Sequence, residues 1–192
     1  MSAIYLVPVG SIDDEVMKTL EACLWQIFGF EVKRMPAMED PVYAYDRQTQ
    51  QYSSTLILKE ILKNIPKDAV RVLGITDRDL FIPMLSFVFG HAQVNGQAAI
   101  ISLARLRQEF YGLPVEDSTR RENRLLFLYR AMKEAVHELG HTFGLVHCAD
   151  TSCAMSLSNT IQQVDRKTEE LCKNCTILLE ENVRQIIPVG RR

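Results

Sequence analysis

The stretch from residue 137 to residue 147 constrains the fold of this chain more than any other, because it predicts where a helix runs and where it ends. It reads His-Glu-Leu-Gly-His-Thr-Phe-Gly-Leu-Val-His. On an α-helix, His137 and His141 project from the same face, one turn apart. Gly144 can adopt the left-handed conformation that ends a helix, so the chain can turn back and deliver His147 to the same point.

Three converging imidazoles predict a catalytic zinc site, because three protein ligands leave the fourth tetrahedral position open for water. We assign His137, His141 and His147 as the ligands. Glu138 follows the first ligand, and we assign it as the general base that takes the proton of the zinc-activated water. A chance match is the competing interpretation. Three of the four histidines of the chain fall in this window, which argues against chance.

The cysteines predict a second metal site. Four of the five lie close together in the C-terminal third of the chain as C-x4-C and C-x2-C pairs, namely Cys148, Cys153, Cys172 and Cys175. This spacing is close to that of a four-thiolate structural zinc site. Two disulfides are the alternative. We expect two zinc ions per chain, one catalytic and one structural, and we interpret Cys23 as a small buried apolar residue.

Composition indicates an ordinary globular protein. The chain has 192 residues, of which 47% are hydrophobic and 24% charged, with a net charge of −2. This balance argues against nucleic-acid binding, and no apolar run approaches the ~20 residues of a membrane span. Residues 1–10 lack the basic flank of a signal peptide and are predicted to form a strand. We therefore expect a cytoplasmic monomer that binds neither nucleic acid nor membrane.

The order of predicted elements favours an α/β fold whose twisted, mostly parallel sheet carries an antiparallel edge strand. Asn95-Gly96 is a strong hairpin signal between the last two strands. The polar stretch 36–51 is predicted to be a loop. The predicted strands span residues 4–10, 30–35, 70–76, 86–93 and 98–103, and the predicted helices span residues 14–28, 53–64 and 120–143.

The predicted helix that carries the motif begins at a capping-box pattern, Thr119 to Glu122. We expect its apolar stripe to pack on the sheet, so that the histidines emerge at the C-terminal end of the helix. The members of this stripe are Leu125, Tyr129, Met132, Val136, Leu139 and Phe143.

Three further polar residues are weaker candidates for the site. Asp77 and Asp79 follow a predicted strand, but carboxylates in turns more often cap the backbone or face water. His91 lies on the predicted edge strand, where we interpret it as a solvated or cleft-lining residue and not as a ligand. That strand, residues 86–93, can bind an extended peptide antiparallel to itself.

With Met155 eight residues beyond the histidine motif, the chain resembles the metzincin zinc peptidases, in which a methionine-containing turn lies beneath the three histidines. The order G-x3-C-x4-C-x-M…C-x2-C is similar to that of the archaemetzincins. The similarity extends upstream through residues 74–80, 86–90 and 101–106.

The resemblance implies a zinc-dependent metallopeptidase that hydrolyses peptide bonds in a peptide or protein substrate. It further implies a single domain, in which residues 1–144 form an N-terminal lobe with the active-site helix. Residues 145–192 would form a small C-terminal lobe with the turn at Met155 and the four-cysteine zinc site. The alternative is a zinc-stabilised peptide-binding module with little or no turnover, against which the intact Glu138 argues. A nucleic-acid zinc knuckle is a third interpretation, which the acidic balance disfavours.

Overall fold

The computed structural model describes residues 2–112 and 117–186, which form two β-sheets and five α-helices. The strands are β1 (Ala3–Val9), β2 (Glu31–Arg34), β3 (Tyr45–Asp46), β4 (Gln51–Ser53), β5 (Ala69–Thr76), β6 (Leu80–Ile82), β7 (Leu85–Val88), β8 (Gly90–Ala92) and β9 (Ala98–Ser102). The helices are α1 (Asp14–Phe28), α2 (Ser54–Ile61), α3 (Arg120–Thr142), α4 (Ile161–Arg166) and α5 (Lys173–Ile186).

The main sheet has the strand order β2-β1-β5-β9-β8. Its first four strands are parallel, and β8 pairs antiparallel with β9, with His91 opposite Ile100. The α/β class, the mostly parallel sheet, the antiparallel edge strand and the hairpin are therefore confirmed. Strand β9 is buried along its whole length, as expected for a strand covered on both faces.

A second sheet, with the order β3-β4-β6-β7, was not predicted. Its strands are two to four residues long, too short for a repeating pattern to reveal. The prediction of a loop over residues 36–51 was therefore wrong at β3 and the start of β4. The predicted strand 86–93 was also wrong as one element. It is interrupted at Phe89. The residues before Phe89 pair with β6, and the residues after it pair with β9.

Helix α3 packs against both α1 and the main sheet. Its predicted buried stripe was correct only in the C-terminal half. Leu125 and Tyr129 are each 47% exposed. Phe127 and Leu128 take their place in the core. The predicted capping box was also wrong, because Thr119 makes no capping hydrogen bond with its side chain.

The C-terminal helices complete the same core. Val164 of α4 and Leu179 of α5 belong to one hydrophobic cluster with residues of β1, α1 and α3. The sequence analysis identified neither helix. Among the described helices, none has the length and apolar character needed to cross a membrane.

The C-terminal end of α3 is held by a Schellman motif. The Gly144 N–H donates to the His141 carbonyl at 2.9 Å, and the Leu145 N–H donates to the Gly140 carbonyl at 3.0 Å. Gly144 has φ +86°, so the prediction that the helix ends there in a left-handed turn is confirmed. The turn redirects the chain towards His147.

Other elements supply donors to the remaining carbonyls at this end. Buried Arg71 of β5 donates to the Thr142 carbonyl at 3.0 Å. The Asn182 side chain of α5 donates to the Phe143 carbonyl at 2.8 Å. The Asn95 N–H of the β8–β9 hairpin donates a second hydrogen bond to the His141 carbonyl at 2.9 Å. The Thr142 and Phe143 carbonyls are therefore satisfied only when the main sheet and α5 are both in place, and the hairpin adds a further contact at the same end.

We predict that Gly144→Ala lowers the free energy of unfolding by about 2 kcal/mol. About 1 kcal/mol comes from the left-handed backbone, and a similar amount comes from disturbing Asn182, whose Nδ2 would lie 3.1 Å from the new Cβ. Gly29 is the matched control, because it ends α1 at φ +69° with nothing within 4 Å of a Cβ. Gly29→Ala should cost only about 1 kcal/mol. Equal costs in urea-induced unfolding would contradict the role of Asn182.

Candidate metal centre and active-site cleft

The three motif histidines converge on one point. His137 and His141 lie at the end of α3, and His147 follows the turn at Gly144. Their ligand nitrogens all lie within 4.8 Å of one another, and the Nε2 atoms of His137 and His141 are 3.1 Å apart. Two nitrogens on one tetrahedral zinc are separated by about 3.3 Å. The donor set therefore fits zinc.

Backbone carbonyls orient the two helical imidazoles. His137 donates from Nδ1 to the Ala154 carbonyl at 2.9 Å, and His141 donates from Nδ1 to the Leu145 carbonyl at 2.8 Å. Both Nε2 atoms then present lone pairs to each other, an arrangement that a cation between them would stabilise. Burial lowers the pKa of all three imidazoles, including His147, and so favours the neutral form that binds metal.

Glu138 is buried where α3 meets the edge strand. A Cβ at Gly90 of β8 would lie 2.6 Å from Glu138 Oε1, so only glycine allows the strand to approach so closely. Burial, and then the neighbouring Glu134, raise the pKa of the Glu138 carboxyl well above its usual range, while Lys167 acts in the opposite direction. The sequence analysis did not identify Gly90, because the contact joins elements far apart in the chain.

Met155 lies beneath the helix between the two helical histidines. It is fully buried, and a Cβ at Gly140 would collide with its sulfur. The residue before it, Ala154, is the one that accepts the hydrogen bond from His137. The turn at Met155 therefore contacts both the backbone of α3 and one imidazole.

The four C-terminal cysteines form a second cluster, whose sulfur atoms lie within 4.8 Å of one another. The sulfurs of Cys148 and Cys172 are 3.8 Å apart. Two thiolates on one tetrahedral zinc are separated by about 3.8 Å, whereas a disulfide requires about 2.0 Å. This donor set also fits zinc. Cys23 is buried on α1, away from both clusters, and burial raises its pKa to about 12.

The two clusters are neighbours in the chain. His147 belongs to the histidine cluster, and the next residue, Cys148, belongs to the cysteine cluster. The Cys148 N–H donates to the Met155 carbonyl at 3.0 Å. The histidine cluster, the turn at Met155 and the cysteine cluster are thus joined over very short lengths of backbone.

A buried ion pair, which the sequence analysis missed, lies beside the histidines. Lys167 Nζ is 2.9 Å from Glu134 Oε1, and the two side chains are 1% and 3% exposed. Lys167 also donates to the Ser156 carbonyl at 3.4 Å, so it links α3 to the turn at Met155. The position of Glu134, one helical turn before Glu138, was an available signal. No local pattern identifies Lys167.

A cleft of about 580 Å³ lies over the histidines. The second sheet and β8 form one wall, and the segment after Met155 forms the other. Its apolar lining consists of Ile82, Leu85, Phe87, Val88, Phe89, Ala92, Val94 and Leu157, and its polar lining consists of Ser86, His91, Glu134, His137, Glu138, His141, His147, Ser158 and Asn159.

The three weaker candidates differ in whether they line the cleft. His91 lines the cleft but lies outside the histidine cluster. Asp79 pairs with Arg105 at 2.6 Å and Asp77 pairs with Arg107 at 2.6 Å, and neither carboxylate lines the cleft.

Residues 31–181 match the model of peptidase family M54. An archaemetzincin from Methanocaldococcus jannaschii is 43% identical over 174 residues, which cover 91% of this chain and 90% of that protein. The crystal structure of archaemetzincin from Methanopyrus kandleri is similar, with a TM-score of 0.78 and 34% identity over 95% of this chain and 96% of that one. A zinc-dependent peptidase from Methanocorpusculum labreanum has a TM-score of 0.77 and 26% identity over 92% of this chain and 100% of that one.

We predict that Lys167→Met lowers the free energy of unfolding of the zinc-loaded protein by about 3–5 kcal/mol, because it leaves the Glu134 carboxylate buried without a partner. The double variant Glu134→Leu with Lys167→Met should recover most of this loss. Lys63→Met is the control, since the exposed pair of Lys63 with Glu60 should contribute less than about 1 kcal/mol. A single variant as stable as the parent in denaturant unfolding would show that the pair is unimportant.

Proposed function

Because this chain belongs to peptidase family M54, the archaemetzincins, it is a zinc-dependent metallopeptidase, and we propose that the residues of the histidine motif carry out the hydrolysis. The observation that supports this most strongly is the convergence of the ligand nitrogens of His137, His141 and His147, all within 4.8 Å, beside a buried carboxylate. The substrate is a peptide, and the cleft over the histidines is the proposed place of binding.

We propose two zinc ions per chain, one held by these three histidines and the other by Cys148, Cys153, Cys172 and Cys175. When bound at the histidines, zinc supplies Lewis-acid chemistry that lowers the pKa of a water to about 7 and polarises the carbonyl of the scissile bond. Three protein ligands suit this role, whereas four thiolates close the coordination shell and suit a structural role.

The proton is moved by Glu138. Its carboxylate accepts a proton from the attacking water and later passes that proton to the nitrogen of the leaving amine. The close packing against Gly90 supports this role, because it leaves the carboxylate little freedom to turn away. The proposed role of Met155 is to support α3 from below without touching the substrate.

The free edge of β8 is the proposed binding site for the substrate backbone. On either side of β8, the Ser102 N–H donates to the Phe89 carbonyl at 2.8 Å and the Gln93 N–H donates to the Ala98 carbonyl at 3.0 Å. In an antiparallel pair these bonds alternate, so the N–H and C=O groups of Gly90 and Ala92 point away from β9. An extended peptide that runs antiparallel to β8 can pair with them.

We infer that one chain is the working unit, because it supplies every proposed ligand and every described residue of the cleft. In this single metallopeptidase domain, residues 1–144 supply the sheet and the active-site helix, and residues 145–192 supply Met155 and the four cysteines. Thiolate ligands require reduced cysteines, which agrees with a cytoplasmic location. The net charge of −2 supports the absence of nucleic-acid binding.

Glu138→Gln tests the mechanism. The amide keeps the shape of the side chain but cannot take a proton, so we expect full zinc content and a fall in turnover of about 100- to 10,000-fold. The measurements are metal analysis and the rate of cleavage of a peptide that the parent hydrolyses. Glu122→Gln, in the first turn of the same helix, should leave both unchanged. Parental rates in Glu138→Gln would show that another group is the base.

The neighbours His147 and Cys148 test the two metal sites. We expect His147→Ala to lose one zinc, to lose activity and to keep a melting temperature close to that of the parent. Cys148→Ser should weaken the other zinc and lower the melting temperature, because binding energy at a structural site is also folding energy. A mild chelator should likewise remove the histidine-bound zinc first. One zinc in the fully loaded parent, or identical behaviour of the two variants, would refute the assignment.

A further inference from the structure

His91 is a cleft residue to which the proposed reaction gives no role. Its Nδ1 lies 2.9 Å from the hydroxyl of Ser54, which is fully buried at the start of α2. That hydroxyl donates to the Phe81 carbonyl at 3.2 Å. A hydroxyl has only one proton to donate, so His91 must be the donor from Nδ1. In the neutral imidazole, Nε2 is then an acceptor.

The neutral form is the one to expect. Burial lowers the pKa of His91, and the acidic side chains that line the described part of the cleft, Glu134 and Glu138, lie on α3, which Gly90 and not His91 faces. No described residue hydrogen-bonds to Nε2 of His91. Its accepting capacity is therefore available to a ligand in the cleft.

The direction of the His91 side chain follows from strand geometry. Gly90 faces Glu138 on α3, and successive residues of a strand point to opposite faces. His91 therefore points away from the motif histidines, towards the side of the sheet where Ser54 lies. The adjoining wall is formed by β7, from Leu85 to Val88.

We propose that His91 determines part of the substrate specificity, by accepting a hydrogen bond at Nε2 from the side chain of the substrate residue that pairs with it. This inference rests on the proposed binding of an extended peptide along β8. Residues that face each other in an antiparallel pair have Cβ atoms about 4.5–5.5 Å apart and share one face, so the two side chains meet.

The substrate side chains that His91 would favour are those that donate a hydrogen bond. An amide such as that of asparagine or glutamine can donate to Nε2, whereas the carboxylate of aspartate or glutamate offers only acceptors. A neutral hydrogen bond of this kind corresponds to a preference of about 3- to 10-fold for the amide over the carboxylate of the same shape.

The test measures peptide binding to zinc-loaded Glu138→Gln protein, so that it does not depend on turnover. The two peptides of each pair differ at one position, where one carries glutamine and the other glutamate, or one asparagine and the other aspartate. Successive pairs place this exchange at successive positions of the peptide. At one position we expect the amide to bind about 3- to 10-fold more tightly, and we expect His91→Leu, added to Glu138→Gln, to abolish that preference. Comparing the two proteins cancels any general repulsion of acidic peptides.

Two further variants separate recognition from structure. Ser54→Ala leaves the imidazole in place but removes the hydrogen-bond partner of its Nδ1, so the proton can also reside on Nε2. The preference for the amide over the carboxylate should then shrink, without loss of zinc. Gln97→Leu, at an exposed site of the hairpin outside the cleft, should keep the full preference. If the preference is the same with and without His91, or is absent at every position, the inference is wrong and the proposed hydrolysis stands. If no peptide binds, binding along β8 fails as well.

Discussion

The C-terminal end of α3 is the constraint on which the rest of the structure depends. An α-helix leaves its last carbonyls without partners, and here they lie in the interior, where each must find a donor. Arg71 supplies one from a residue 71 positions away, and Asn182 supplies another from α5. The buried Arg71 has no carboxylate partner among the described residues, and burial lowers its pKa to about 10. The Thr142 carbonyl at the helix end, the Val70 carbonyl of β5 and the ring of Phe143, 4.5 Å away, balance its charge instead.

Charged side chains fix the opposite flank of the same helix. Arg130 donates to both oxygens of Asp165 at 2.7 Å, and Lys133 donates to the Val164 carbonyl at the end of α4. The buried pair of Lys167 with Glu134 continues this row one turn closer to the histidines. Buried ions are costly to desolvate, so these contacts add geometric precision more than stability. A catalytic site benefits from that precision, because its side chains must stay close to the productive geometry.

The walls of the cleft come from parts of the chain with weak local signals. Strands β6 and β7 have only three and four residues, and the turn between them contains Met84, which has φ +78°. Arg105 lies 4.0 Å above the ring of Phe87 and pairs with Asp79, so it supports this wall from outside the cleft. Asp77 and Asp79, which were weaker candidates for the site, serve the scaffold through their pairs with Arg107 and Arg105. His91, which a single sequence could not distinguish from a solvated residue, lines the cleft because Ser54 holds it there.

The sequence by itself determined the features whose causes are local. The four-residue spacing of His137 and His141, the helix end at Gly144 and the order of the long elements all follow from helix periodicity and turn chemistry over a few residues. Only the tertiary structure decided which strand pairs with which on either side of Phe89. It also decided that Lys167 meets Glu134 and that Glu138 packs against Gly90. These contacts join residues far apart in the chain, and their energy depends on burial, which no local pattern encodes.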